Sequence, residues 1–354
     1  MLSCGTCPDR ATIFSAAYGC RLAARPRRLR RLMPRYGVFG FTIESTMAFP
    51  ELEPREADDT VDWWIRTAPA ESCGSAGTSL GIDHVYGDLQ VRAYATETTL
   101  RIAFDDTGVF DVHPSNREIV WYPGPLATEA AVRADVLGRV LALAAHADGH
   151  FTLHASAVAV AGRAIALVGP KHAGKSTLAL ALVRNGARLL TDDTLVVRLR
   201  SGVAWAAPGV QRIRLWADSA RALGALAPTA GEPKSTATLV PNELETAPLP
   251  LSACYVLAPS AEPNGGAGNG AAIRRERLSP VHAALACVRF SKLGSLVGGA
   301  VAAAVLDRAG ALTKAVPVFV AVVQPDLTRL DEVAERVIEW HTPARVAGPG
   351  AVVR

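Results

Sequence analysis

The sequence predicts an α/β fold: a P-loop nucleotide-binding domain preceded by a smaller β-rich domain. Three observations carry that expectation. Residues 169–176 read GPKHAGKS and fit G-x-x-x-x-G-K-[ST] at every fixed position, with a strand-like apolar run before and a helix-like run after. Two adjacent aspartates, Asp192 and Asp193, follow one helix later at the end of a second apolar run. Before residue 125 the texture differs: short β-branched and aromatic segments are separated by Gly, Pro, Asp and Asn.

At 354 residues, with 49% hydrophobic and 20% charged residues, the chain has material for two domains and is too apolar for wholesale disorder. Its net charge of +4 is unevenly placed. Residues 1–35 carry eight arginines and one acid, Asp9, or +7, which leaves −3 for the remainder. The run RPRRLRR reads as a disordered leader, or as sequence upstream of the true start, since Met33 directly precedes the first strand-like segment. A basic run also suits nucleic acid or anionic lipid, but neither is expected as a partner. The apolar stretch of the leader precedes its charges, the reverse of a secretory signal. Cys4 and Cys7 lack the second pair of a zinc site, and Cys73, Cys254 and Cys287 read as reduced thiols, so a cytoplasmic location is expected.

The elements follow in order. YGVFGFTIES, VDWWIRT, LQVRAYATE, TLRIAFDD and EIVWYPG predict an antiparallel β-rich region over 36–124, with one of Trp63 and Trp64 in its core. Residues 126–147 predict a long helix with Leu137, Val140, Leu141 and Ala144 on one face, which closes the first domain at 148. The apolar run 151–169 is interrupted by His154, Gly162 and Arg163, and reads as two strands joined at Ala161-Gly162, not as a membrane span. KSTLALALVRN predicts a helix closed by Gly186, and ARLLTDD and LVVRLR predict strands. Residues 227–248 read as a mobile loop and 261–271 as a flexible hairpin tip. GSLVGGAVAAAVLDRAG reads as a helix, PVFVAVV as the last buried strand and LTRLDEVAERVIEWH as the last helix. The second domain thus spans 149–342, and 343–354 is a tail.

The chemistry lies in the loop. Its glycines let successive N–H groups point at phosphate oxygens, at the positive end of the following helix. The nucleotide-binding set is Gly169, Pro170, Lys171, His172, Ala173, Gly174, Lys175, Ser176 and Thr177. Lys175 is placed to reach the β- and γ-phosphates of ATP, and the Ser176 hydroxyl to hold Mg²⁺. Asp192 and Asp193 end a strand whose tip faces the same crevice; one carboxylate suits the metal and the other an attacking hydroxyl. Asp193 is assigned with Ser176 to the metal, and which aspartate acts as base is left open. Arg212 and Arg214, which share a strand face, and Lys234 are further candidate cations.

The span LHASAVAVAGRAIALVGPKHAGKSTLALALVRNGARLLTDDTLVVR resembles the catalytic domain of the HPr kinase/phosphorylase family, over about 45 residues. His154, Lys175, Ser176, Asp192 and Asp193 fall on the family's histidine, loop and acidic pair. The β-rich half and PGVQRIRLWADSARALG resemble HPr-kinase-related proteins of biosynthetic gene clusters, including lasso-peptide precursor kinases. The chain departs by Lys171-His172 where the family has Ser-Gly, by Ala155 where it has Gly, and by lacking a recognisable HPr-contacting segment. The resemblance implies an HPr-kinase-like fold and an ATP- and Mg²⁺-dependent serine kinase. His154, Asp192 and Asp193 would be its catalytic residues, a peptide or small protein carrying a serine its acceptor, and a homo-oligomer its assembly. Neither HPr itself nor phosphorylase activity is implied. The alternatives are a P-loop ATPase switch and a non-catalytic nucleotide sensor.

Overall fold

Alternating apolar and polar residues from 35 to 123 pair into one sheet. Its strands are β1 (Arg35–Val38), β2 (Phe41–Ser45), β3 (Glu53–Pro54), β4 (Trp63–Thr67), β5 (Thr78–His84), β6 (Gln90–Ala95), β7 (Leu100–Phe104), β8 (Gly108–His113) and β9 (Glu118–Pro123). They lie in the order β3-β1-β2-β4-β9-β8-β7-β6-β5. This is a computed structural model; it describes residues 33–84, 88–225, 234–259 and 271–342, all of which from Pro34 onward belong to one compact unit. The expected antiparallel pattern holds for β5 to β9 but not throughout. After the crossover 46–62, β4 enters between β2 and β9 and runs parallel to both. Trp63 is the buried member of the tryptophan pair, and its indole Nε1 donates to Asp148 Oδ2 at 3.1 Å.

The linking helix starts where Thr128 accepts the backbone N–H of Ala131. It runs as α1 (Glu129–Asp135), a π-helical turn Val136–Val140, and α2 (Leu141–Ala147). Leu137, Val140, Leu141 and Ala144 are all buried in the core under the first sheet. The π turn contains Gly138, and such turns concentrate at functional sites.

The second sheet begins with β10 (Phe151–Leu153), β11 (Ala155–Val160) and β12 (Arg163–Val168). Ala161 and Gly162 turn β11 into β12 with φ of 48° and 74°, as the Ala-Gly pair predicts. Then come α3 (Lys175–Arg184), β13 (Arg188–Thr191), β14 (Leu195–Arg200), β15 (Val203–Ala206), β16 (Arg214–Leu215), α4 (Ala217–Ala222) and β17 (Ser235–Thr236). The chain continues through β18 (Leu249–Pro259), β19 (Ile273–Arg277), α5 (Pro280–Arg289), α6 (Gly299–Ala315), β20 (Val318–Val323) and α7 (Leu330–Glu339). The order is β10-β14-β15-β18-β12-β11-β13, with β20 and then β19 attached through β18. Residues of α3 and α7 share one apolar core, and residues of α5 and α6 share another. The central strands therefore need apolar side chains on both faces, which is why β11 is buried along its whole length. β12, β18 and β20 are mutually parallel, and β11 runs antiparallel to both β12 and β13. The carboxyl ends of β12 and β13 thus open at the same end of the sheet.

The leader 1–32, the tail 343–354 and most of the segment 261–271 lie outside the described residues, as do 226–233. The described part of the expected mobile loop is held down: Glu245 is buried, and its N–H donates to Leu189 O at 2.8 Å. Among the described residues no helix is long and apolar enough to cross a membrane.

The β1–β2 turn reaches into the second sheet. Phe39, buried with φ 55°, donates its N–H to Pro208 O at 2.7 Å, and Arg198 Nη2 donates to the carbonyls of Phe39 and Gly40. Gly209 is needed at the meeting point, because a Cβ there would sit 2.3 Å from Thr191 Oγ1 and 2.5 Å from Phe39 Cε1. Gly209→Ala is expected to lower stability by about 1–3 kcal/mol through overpacking, read as an earlier thermal transition. An unchanged transition would mean that Phe39 can swing aside without loss.

Candidate active site

The loop after β12 has the curled path that its glycines predict. Gly169 (φ 153°) has no room for a side chain: a Cβ would meet the Ala173 Cβ at 3.1 Å and Leu257 O at 3.2 Å. Gly174 (φ 84°) faces open space and is required by conformation alone. His172 holds φ 69° without being glycine, and its ring stacks on Trp216 with centroids 5.1 Å apart. Lys175 opens α3 and is buried, its Nζ donating to the carbonyls of Gly169 and Pro170 at 3.0 Å each. Burial pushes its ammonium down to about 8, against the attraction of Asp193 and Asp192 and with the repulsion of Lys292 and Lys234. Thr177 Oγ1 donates to Ser219 Oγ at 3.0 Å, which ties α3 to α4.

The two aspartates stand in opposite environments. Asp192 is buried, and its Oδ1 accepts from Ser156 Oγ and, at 3.0 Å, from Ser176 Oγ. Burial and then the Asp193 charge raise its carboxyl, although Ser156, Ser176 and the Arg214 N–H pull the other way. Asp193 turns outward at φ 73°, a left-handed conformation that Asp tolerates better than most residues. Its side chain is 58% exposed. Desolvation in the crevice would raise the Asp193 carboxyl, but the Lys292 ammonium and His154 outweigh it and hold it well below the usual range. Lys292 Nζ donates to Asp193 Oδ2 at 2.5 Å; His154 Nδ1 lies 3.2 Å from Oδ1 and 3.0 Å from the Asp193 carbonyl oxygen.

The structure thus brings His154, Lys175, Ser176, Asp192 and Asp193 together where β12 and β13 end. It places Asp192, not Asp193, on the Ser176 hydroxyl. Arg212 turns away to Glu51 at 3.6 Å, whereas Arg214 bonds Asp192 through its backbone. Lys292 is the site residue that sequence reasoning missed. It arrives because Phe290 O accepts the His154 N–H at 2.8 Å and the Lys292 N–H donates to Thr152 O at 3.0 Å. No local motif marks it. A compositional signal does: the chain has 32 arginines and only five lysines, and Lys171, Lys175, Lys234 and Lys292 all interact around this crevice. In a chain that uses arginine for surface charge, a retained lysine points to a need for a compact cation.

The residues present fit a magnesium-bound nucleoside triphosphate. Ser176 and Asp192 offer two adjacent hard oxygens, and a divalent ion there would favour the ionised form of the buried Asp192 carboxylate, whose Oδ1 already accepts from two hydroxyls. The Lys175 ammonium bonds two loop carbonyls that phosphate oxygens can replace. Among the described residues no group of three or more His, Cys, Asp or Glu side chains forms a metal cage.

No protein-family profile matches the chain, and no curated protein does. Among solved structures the chain is similar to the Hpr(Ser) kinase/phosphatase from Coxiella burnetii, at 15% identity over 54% of this chain and 97% of that one, with a TM-score of 0.27. At that identity and score the likeness carries no argument, and the site has to be read from its own geometry.

Proposed function

We propose that the chain is an ATP- and Mg²⁺-dependent kinase that passes the γ-phosphate to a serine hydroxyl of a peptide or small protein. The observation that carries the reading is the pair of adjacent carboxylates beside a phosphate loop, one buried on Ser176 and the other ionised and open. Environments that push two carboxylates apart assign them different work. Asp192 and Ser176 would hold the metal, and Lys175 would turn from the loop carbonyls to the phosphates. Bound Mg²⁺ supplies neutralisation of phosphate charge. Asp193 orients the acceptor hydroxyl and takes its proton as the new O–P bond forms and the bond to the leaving diphosphate breaks. Its exposure lets that proton pass to water. Lys292 and His154 keep Asp193 ionised and aimed.

The direct test is transfer of label from γ-labelled ATP with Mg²⁺ to a lysate of the source cells, alongside Lys175→Ala, Asp192→Asn and Asp193→Asn. A labelled serine that vanishes in the variants supports the kinase. Phosphate release with no acceptor would replace it by an ATPase switch, and binding without turnover by a sensor.

Lys175 gives a separate expectation. Lys175→Ala should weaken MgATP by about 10–100-fold, the worth of a buried charge-assisted contact. In the free loop its ammonium titrates at about 8, and bound phosphates would keep it charged. Affinity should therefore fall about tenfold per pH unit above that point, with one proton taken up on binding. Calorimetry in two buffers of different ionisation enthalpy at pH 7 and 9 reads this directly. Equal proton uptake at both pH values would remove Lys175 from the contact.

A further inference from the structure

The ribbon β16–β17 pairs Leu215 with Ser235 and Arg214 with Thr236. Trp216 and Lys234, one step beyond that register, meet at the ribbon's end. Lys234 Nζ lies 4.9 Å from the centroid of the Trp216 ring, and His172 of the phosphate loop stacks on the same ring at 28°. A single indole therefore joins the loop to a cation 62 positions further along the chain than His172. Core packing does not explain the contact, since Trp216 is 38% exposed. The arrangement is also in register with the nucleotide helix: Trp216 caps α4, and Ser219 in that helix accepts from Thr177.

The charges point the same way. Lys234 is half-buried, and its ammonium is pushed down by burial and then by Arg214 and Lys171, while Asp192 and Asp193 draw it. Lys171, Lys175, Lys234, Arg214 and Lys292 thus surround two aspartates. Cations assembled in excess at the mouth of a phosphate loop make an anion site with two walls. The loop is one wall and the ribbon is the other.

We propose that Lys234 is the cation that grips the terminal phosphoryl group of the bound nucleoside triphosphate, with Trp216 as the positioning residue that holds its ammonium over the loop and His172 steadying the indole. The proposal rests on the nucleotide-binding reading above. An ammonium on an aromatic face keeps N–H donors free for phosphate oxygens, while the ring limits where it can go. A point charge at that place stabilises the negative charge on the transferring group without having to reorganise.

The test is calorimetric binding of two magnesium complexes, ADP and the non-hydrolysable triphosphate analogue adenylyl imidodiphosphate. Wild type is compared with Lys234→Ala, Trp216→Leu and the double variant. Lys234→Ala should lose about tenfold or more for the triphosphate, the worth of one charge-assisted contact, and little for the diphosphate. Trp216→Leu should show the same preference with a smaller loss, and the double variant should bind no worse than Lys234→Ala, because the indole acts through the lysine. Equal losses for both nucleotides, or none, overturn the assignment. Additive losses in the double variant overturn the positioning role of Trp216. If wild type binds neither complex, the nucleotide reading itself falls; if it binds both and Lys234→Ala does not discriminate, only this inference falls.

Discussion

Asp193→Asn should lower phosphoryl transfer by about 10³-fold while MgATP affinity stays within about threefold of wild type, because in the proposed reaction Asp193 would meet the acceptor, and its carboxylate bonds Lys292 while Ser176 bonds Asp192. Asp192→Asn should act mainly on nucleotide binding, since its Oδ1 sits on the loop hydroxyl. Stability separates the pair further. Asp193 has a depressed folded-state value, so it contributes stability that is present above the ordinary carboxylate range and is lost as pH falls through the folded value. Asp192 has a raised value, so it costs stability: the cost is absent below the ordinary range and complete once pH has risen through the folded value. Asp192→Asn should therefore raise the melting temperature by a few degrees at pH 7 and change little near pH 4, whereas Asp193→Asn should lower it at pH 7. Thermal melts of both variants across pH 4–7 read the two signs. A gain in stability from Asp193→Asn would reverse the assignment of roles.

The candidate site was only half legible in the sequence. The loop between β12 and α3 and the Ala161-Gly162 turn are local features, set by spacing and by residues that tolerate positive φ, and the strand, loop and helix lie where the sequence placed them. The acidic pair was also legible as a pair. The different environments of its two members were not, because burial of Asp192 depends on Ser156 in β11 and on Val210, whose carbonyl accepts the Asp192 N–H at 2.9 Å. The parallel entry of β4 was hidden for a similar reason: residue pattern shows that a strand has one buried face, and not which neighbours it joins. Trp216 is a lone aromatic in sequence, and only the β16–β17 register brings Lys234 to it.

Lys292→Met should cut transfer by about 10²-fold or more with MgATP binding little changed, and its decisive signature lies in the pH profile. The ammonium bonds Asp193 Oδ2 at 2.5 Å from a side chain only 10% exposed. Its stem lies over the π turn, where a Cβ on Gly138 would come within 3.9 Å of Lys292 Cε. Methionine keeps most of that volume and removes the charge. Arginine would not substitute well, since its planar fork needs width that a point charge does not. Without the ammonium, Asp193 keeps His154 but loses the strongest influence holding its carboxyl down, so the acidic limb of the rate profile should move to higher pH. The same ammonium also repels Lys175 and helps depress it to about 8. Its removal should let Lys175 stay charged to higher pH and move the basic limb upward as well. A structural defect at Lys292 would lower the whole profile without displacing its limbs. Both limbs moving in one direction is the signature expected of a single cation that acts on Asp193 and on Lys175 together.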